Sequence, residues 1–150
     1  MADSSPKIRD FLRTRGRPVI TIGPNDSVET AIKKLVDNDI GALPVCDAKG
    51  TMLGIVSERD LLKECASRAR SLGSTKIKDI MVTDVVIGVL DDDLDYVMDI
   101  MTQRGFRHLP IMEGPELRSM ISIRDVVDEL LRQSKAHVRF LSDYISGGYV

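Results

Sequence analysis

Two stretches of the chain, "GIVSERDLL" at residues 54–62 and "SMISIRDVV" at residues 119–127, share one order of residue types. In each, an apolar run leads into Ser-x-x-Asp, and a helical pattern follows. Ser-x-x-Asp is close to the capping box, in which two side chains satisfy the free backbone N–H groups at a helix start. The motif therefore has two compatible interpretations, a helix cap or part of a binding site.

The repetition extends over most of the chain. A shift of 66 residues places "IGALPVCD" (40–47) over "FRHLPIME" (106–113), "SVETAIKKL" (27–35) over "DLDYVMDIM" (93–101) and "VITI" (19–22) over "VVIG" (85–88). The lead-ins "KIRDFL" (7–12) and "KIKDIM" (76–81) also match, with three more residues between lead-in and strand in the first copy. A register this constant indicates a tandem duplication.

Each copy begins with a strand and an amphipathic helix. β-branched runs at 19–22 and 85–89 predict the strands, and apolar residues at helical spacing predict the helices that follow. Gly105 is placed to end the second helix. The residues that can cap these helices are Asp26 or Ser27 in the first copy and Asp92 or Asp93 in the second.

Two short strands joined by a tight turn come next in each copy, and a last helix begins at Ser-x-x-Asp. The predicted fold class is α+β, with tandem β-α-β-β-α repeats packed sheet to sheet about a pseudo-two-fold axis. One copy alone has too few helices to cover its sheet, so pairing has a stability reason. We assign residues 7–67 to copy one, 76–133 to copy two, and 134–150 to a short C-terminal helix or tail that ends at Gly147–Gly148. The predicted strands lie at 43–46, 52–56, 109–112 and 117–121.

Composition excludes several classes of function. A net charge of −2 and a pI near 5.7 give no general attraction to nucleic acid or to anionic membranes. No apolar run approaches the ~20 residues that span a bilayer, and the first residues lack the apolar segment of a secretory signal. Cys46 and Cys65 have no metal-site spacing and are expected to be reduced thiols. We expect a cytoplasmic protein, or one of an organelle matrix if the source is eukaryotic.

In this order and spacing, the fragments resemble a CBS domain pair, named after cystathionine β-synthase. The resemblance is carried by "LPV" in one strand and by Gly-apolar-apolar-Ser/Thr-x-x-Asp at the end of the next, and it covers residues 7–133. The chain is similar to stand-alone CBS-pair proteins, which implies a regulatory adenine-nucleotide-binding module with no required cofactor. The implied ligand is AMP, ADP, ATP, NAD or S-adenosylmethionine in a cleft between the repeats, and the implied effect is on an unknown partner protein. The alternative is a structural dimerisation module with empty clefts.

The resemblance also implies roles for individual residues. Asp60 and Asp125 are expected to accept hydrogen bonds from ribose hydroxyls. The residues expected at the phosphates are Ser57, Arg59, Arg107, His108, Ser122 and Arg124. Those expected beside the adenine are Ile20, Val56, Val86 and Ile121, for which the alternative is an ordinary core position. For His108 the alternative is a surface histidine.

The two copies are not equivalent at these positions. Before "LPI", copy two has Arg107 and His108, whereas copy one has Gly41 and Ala42. Copy two also has a serine where copy one has Gly54, a position at which a ligand could require close approach. We expect one phosphate-binding cleft and one that is weaker or differently selective.

Catalysis and metal binding find no support in the motifs. The chain has no recognisable nucleophile–base pair, no GxxxxGK[ST] phosphate loop, and its two histidines, His108 and His137, stand far apart. We expect a protein that is not an enzyme and that binds no metal, nucleic acid or membrane. The helices that end each repeat are the expected faces of a homodimer of CBS pairs.

Overall fold

The computed structural model describes residues 5–67 and 71–145, and within the last helix it describes no side chains for 136–138 and 140–145. The described elements confirm a mixed α+β fold built from two repeats. In chain order they are α1 (Ile8–Arg15), α2 (Val28–Asn38), β1 (Ala42–Cys46), β2 (Met52–Ser57), α3 (Glu58–Ser67), a 3₁₀ turn (Ile77–Asp79), β3 (Gly88–Val89), α4 (Leu94–Arg104), β4 (His108–Glu113), β5 (Glu116–Ser122) and α5 (Ile123–Ile145).

Each copy contains one small sheet. β1 pairs antiparallel with β2, and β4 pairs antiparallel with β5. The register shifts at corresponding positions in the two pairs, between Val45 and Cys46 in β1 and between Ile111 and Met112 in β4. β3 pairs parallel with β4. In copy one the predicted first strand is reduced to a single parallel bridge between Ile22 and Val45. Pro18 and Pro24 flank that segment, and neither has the N–H group that a longer ladder would require.

The helix ends follow local chemistry. Ser27 caps α2, because its Oγ accepts a hydrogen bond from the backbone N of Thr30 at 3.1 Å. Gly105 ends α4 with a φ of 77°, a left-handed conformation that glycine adopts without a steric penalty. Asp93 holds the N-cap position of α4 without a side-chain cap bond, whereas Asp92 bonds back to the N of Val89.

The buried hydrophobic residues form two clusters, one for each copy, and each cluster includes the lead-in of the other copy. Ile77, from the lead-in of copy two, is fully buried in the copy-one cluster. Ile8 and Phe11, from the lead-in of copy one, are buried in the copy-two cluster. The sequence predicted that the sheets would complete each other, and the structure shows that the exchanged lead-ins fill the cores as well.

Matching backbone hydrogen bonds hold the two exchanged segments. Ile8 N donates to Asp92 O at 2.9 Å, and Ile77 N donates to Asp26 O at the same distance. Asp26 and Asp92 are 66 residues apart, so the two bonds occupy corresponding positions. In copy two the exchange is reinforced by an exposed ion pair between Lys7 and Asp93, with 2.9 Å between Nζ and Oδ1. Neither core is therefore complete without chain from the other copy.

The C-terminal region departs from its prediction. The sequence predicted a separate short helix within 137–150, but α5 continues without a break through Ile145, as one helix of 23 residues. Its sequence contains neither proline nor glycine, so nothing in the backbone chemistry interrupts it. The predicted end at Gly147–Gly148 lies outside the described residues. No helix in the described part of the chain combines the length and apolar character that crossing a membrane requires.

Packing explains the glycine at position 54, rather than the close approach of a ligand that was considered from the sequence. A β-carbon at this position would lie 2.6 Å from the backbone O of Val82 and 3.1 Å from the Sδ of Met81. Val82 in turn exchanges two backbone hydrogen bonds with Ile55, each 2.9 Å long. Glycine at position 54 therefore lets the lead-in of copy two pass directly over β2.

Candidate functional site

Both Ser-x-x-Asp motifs form reciprocal helix caps. At the start of α3, Ser57 N donates to Asp60 Oδ2 at 2.9 Å, and Asp60 N donates to Ser57 Oγ at 3.4 Å. At the start of α5, Ser122 N donates to Asp125 Oδ2 at 2.8 Å, and Asp125 N donates to Ser122 Oγ at 3.1 Å. Caps of this kind stabilise a protein by about 0.5–2 kcal/mol. The cap interpretation is what the structure shows directly.

The caps leave one oxygen of each aspartate for other partners, and here the copies differ. All hydrogen bonds that the described residues make to the Asp60 carboxylate come from Ser57 and end on Oδ2. The Oδ1 of Asp125 instead accepts a hydrogen bond from Arg17 Nη2 at 3.3 Å. Both aspartates are half-buried, so each presents a carboxylate at a helix start where hydroxyl donors can reach it.

The arginines predicted for phosphate binding lie at or near these helix starts and are accessible to solvent. Arg59 and Arg124 occupy the first turns of α3 and α5, and Arg107 immediately precedes β4. All three are exposed, and none forms an ion pair with another described residue. They are therefore accessible to an anionic ligand, and their contact with a phosphate stays a prediction.

His108 lies at the junction of the two copies. A β-carbon at Gly41 of copy one would lie 2.8 Å from His108 Nε2 and 2.8 Å from Glu58 Oε1. The backbone N of Glu58 donates to Gly41 O at 3.0 Å, so the start of α3 is fixed directly beside this glycine. The absence of a side chain at Gly41 thus lets the imidazole of copy two approach the α3 start of copy one.

A model of the CBS domain matches the chain twice, over residues 8–67 and 77–132. The chain belongs to the CBS domain family. It is 29% identical, over 97% of its length and 74% of the relative's, to the mitochondrial CBS domain-containing protein CBSX3 of Arabidopsis thaliana. A crystal structure of a CBS-domain-containing protein of Agrobacterium tumefaciens superposes with a TM-score of 0.77 at 38% identity, over 81% of this chain and 91% of that one.

Two further CBS structures share the fold at lower identity. CBSX2 in complex with AMP superposes with a TM-score of 0.69 at 23% identity, over 85% of this chain and 98% of that one. A CBS domain pair in complex with 5′-methylthioadenosine and S-adenosyl-L-methionine superposes with a TM-score of 0.76 at 22% identity, over 87% of this chain and 99% of that one. Both of these proteins were crystallised with adenosyl compounds, and both share the fold of this chain.

The environment of His108 in this CBS pair lowers the pKa of its imidazole below the ordinary value of 6.5. Burial is the main cause and Arg107 acts in the same direction, whereas the carboxylates of Glu58 and Asp125 raise the pKa. Glu58 belongs to copy one and Asp125 to copy two. His108 therefore lies within electrostatic reach of both helix starts that carry the Ser-x-x-Asp motif.

We expect the stability of the protein to fall as the pH drops below about 6.5, because of His108. The unfolded chain protonates this histidine more readily than the folded one, so acid favours the unfolded state. In urea melts between pH 5.5 and 7.5, His108→Asn should lose less stability on acidification than the wild type. His137→Asn, which changes the other histidine, is the control. An equal acid sensitivity of the wild type and His108→Asn would contradict the assignment.

The residues predicted beside the adenine divide into two groups. Val56 and Ile121 are fully buried in the cores of copies one and two, which is the core alternative stated for them. Ile20 and Val86 are only partly buried and pack against the edges of these cores. Adenine contact therefore stays a prediction, and Ile20 and Val86 are its more accessible candidates.

The described residues give little support to metal binding or to thiol chemistry. Among the described residues, no three or more His, Cys, Asp or Glu side chains cluster in a way that could hold a metal ion. Cys46 in β1 and Cys65 in α3 are free thiols, and burial raises the pKa of the Cys46 thiol, which disfavours the reactive thiolate at neutral pH.

Two participants in the site were missed by sequence reasoning. Arg17 was not expected in the site, yet it reaches Asp125 across 108 positions of sequence. Glu58 was not singled out, yet it lies beside His108 and Gly41. No local pattern could have identified either contact, because each depends on how the two copies pack.

Proposed function

We propose that this CBS pair is a regulatory module that binds an adenine nucleotide between its two copies and transmits the occupancy to a partner protein. The observation that carries the proposal is the convergence of both helix starts on His108. Glu58 at the start of α3 lies beside this ring, since a β-carbon at Gly41 would be 2.8 Å from both His108 Nε2 and Glu58 Oε1. The carboxylates of Glu58 and Asp125 both raise the pKa of His108. A ligand bound there would contact both copies and so respond to their relative packing.

The ribose and the phosphates of a nucleotide each have matching groups in this region. The Oδ1 atoms of Asp60 and Asp125 can accept hydrogen bonds from ribose hydroxyls while Oδ2 keeps the helix cap. Exposed arginines at the starts of α3 and α5, with Arg107 and His108, supply donors for phosphates. The AMP complex of CBSX2 and the S-adenosyl-L-methionine complex of a second pair support an adenosyl ligand.

The proposed mechanism is a shift between two packings of the copies. A ligand drives such a shift only through the difference between its affinities for the two states. Because the lead-ins are exchanged, a displacement of one copy is passed to the core of the other through Ile8 and Ile77. We propose no catalytic step, and we place the module in the cytoplasm or an organelle matrix.

Thermal unfolding with a nucleotide panel tests this function. A ligand that binds only the native state stabilises it by about 2.7 kcal/mol at 100 times its Kd, which raises the Tm of a domain this size by several degrees. We expect at least one of AMP, ADP, ATP, NAD and S-adenosylmethionine at about 1 mM to raise the Tm, with ribose 5-phosphate and GMP as controls. An unmoved Tm with every adenosyl compound would refute the proposal.

A specific observation favours a second candidate, a dimerisation or protein-interaction module. Large apolar side chains stay exposed on the helices of both copies, including Val36 and Leu62 at 73% and 67% exposure and Tyr96 and Leu131 at 53% and 51%. Exposed apolar residues mark protein interfaces where they form a continuous patch. A homodimer through these helices, with clefts that bind no nucleotide, would leave the panel without effect and give a dimer mass in solution.

A further inference from the structure

The end of α1 and the segment that follows it are held against α5 at two points. Arg15 Nη1 lies 3.9 Å from Glu129 Oε1, and Arg17 Nη2 lies 3.3 Å from Asp125 Oδ1 and 3.4 Å from Oδ2. Asp125 and Glu129 are one helical turn apart, so they face the same side of α5. Their side chains are only 20% and 13% exposed, so the arginines meet carboxylates that are largely shielded from water.

No described residue makes an equivalent contact in copy one. Under the 66-residue shift, the position that matches Arg17 is Thr83, which carries no charge. In the described part of the chain, the Asp60 carboxylate receives hydrogen bonds only from Ser57. The oxygen that a ribose would use is therefore already engaged at Asp125 but not at Asp60.

We propose that Arg17 sets the ligand selectivity of the Asp125 cleft by acting as a counter-ion that the ligand must displace. This inference rests on the proposed function, because it assigns Asp125 to the ribose. A ribose hydroxyl that takes Oδ1 releases the guanidinium. A phosphate on the same ligand offers Arg17 a new forked partner, whereas uncharged adenosine offers none. The Asp125 cleft thus selects adenosyl ligands that carry an anion, and the Asp60 cleft does not.

The size of the selectivity follows from the exposure of the pair. Arg17 is 66% exposed, and ion pairs with one exposed partner are weak, so the displacement changes affinity by about two- to fivefold. The two affinities should change in opposite directions: removing Arg17 should strengthen adenosine binding and weaken AMP binding at the same cleft. A residue with only a structural role would change both affinities in the same direction.

The experiment measures adenosine and AMP binding by calorimetry in the full chain with Asp60→Asn, which leaves only the Asp125 cleft competent. Adding Arg17→Gln should tighten adenosine about two- to fivefold and weaken AMP by a similar factor. Arg13→Gln is the matched control, because Arg13 pairs with Asp10 within α1, at 3.7 Å, and not with α5. In the Asp125→Asn background, Arg17→Gln should change neither affinity.

Salt provides a second readout. Screening weakens the Arg17–Asp125 pair, so adenosine should bind the Asp60→Asn variant more tightly as salt rises, and this dependence should vanish with Arg17→Gln. If the wild type binds neither adenosine nor AMP, the role of Arg17 is overturned, and the proposed function fails as well only if no other adenosyl compound of the panel raises the Tm. If the wild type binds both but the Asp60→Asn variant binds neither, or if Arg17→Gln leaves the ratio of the two affinities unchanged, only the role of Arg17 is overturned.

Discussion

Truncation of Ile77 to alanine is expected to unfold copy one first, although Ile77 belongs to the lead-in of copy two. Its side chain is fully buried among copy-one residues such as Leu43 and Val45. Loss of a buried isoleucine leaves a cavity and costs about 2–5 kcal/mol, a large part of the stability of a small domain. Ile8→Ala should have the mirror effect, since Ile8 is fully buried among copy-two residues such as Leu94.

Hydrogen exchange locates the effect, and urea unfolding gives its size. Ile77→Ala should lower the protection of amides in α2, β1 and β2 more than those of α4, β4 and β5, and Ile8→Ala should do the reverse. Ile87→Ala is the matched control, because this isoleucine is 45% exposed and its truncation should cost less than about 1 kcal/mol.

The exchange of lead-ins would be contradicted if Ile77→Ala weakened copy two instead of copy one. It would also be contradicted if both truncations cost no more than Ile87→Ala. Equal loss of protection in both copies would show that the cores unfold as one unit, and the measured cost of each truncation would then carry the test.

Much of the fold could be predicted because its determinants are local and occur twice. The strand that contains Pro44 and the strand that contains Pro110 were placed within one or two residues, since an apolar run and a tight turn bound each of them. Gly105 was identified as a helix end from residue type alone, and Ser27 was one of the two candidates for the cap of α2. The exchange of lead-ins was not predicted, because the patterns around Ile8 and Ile77 show that they are buried but not by which copy.

The candidate site likewise combines local contacts that could be predicted from the sequence with packing contacts that could not. The Ser57–Asp60 and Ser122–Asp125 bonds span three residues, so sequence spacing was sufficient to predict them. The Arg17–Asp125 pair and the approach of Gly41 to His108 depend on packing between the copies. Gly54 shows the opposite error: its role was sought in a ligand, whereas the space above it is filled by the backbone of Val82.

Asp60→Asn and Asp125→Asn are each expected to weaken nucleotide binding at their own cleft by about 10- to 100-fold, because a hydrogen bond to a charged group contributes about 1.5–3 kcal/mol. Asparagine keeps one carbonyl oxygen, which can still accept from Ser57 N or Ser122 N, so the helix caps should survive. Calorimetry with AMP measures the affinity and the number of sites, and each single variant should lose one site if both clefts are filled.

Asp26→Asn is a control for the loss of a carboxylate bond that spans three residues. Asp26 Oδ2 accepts from Gly23 N at 2.8 Å, a bond across three residues like those of the Ser-x-x-Asp motifs, but it lies before α2 rather than at the start of α3 or α5. If Asp26→Asn left AMP binding intact while Asp60→Asn or Asp125→Asn removed it, a general effect of changing such an aspartate could not explain the loss. If neither variant at the motifs changed AMP affinity, the carboxylates would serve only as caps, and the nucleotide would have to be held elsewhere in this CBS pair.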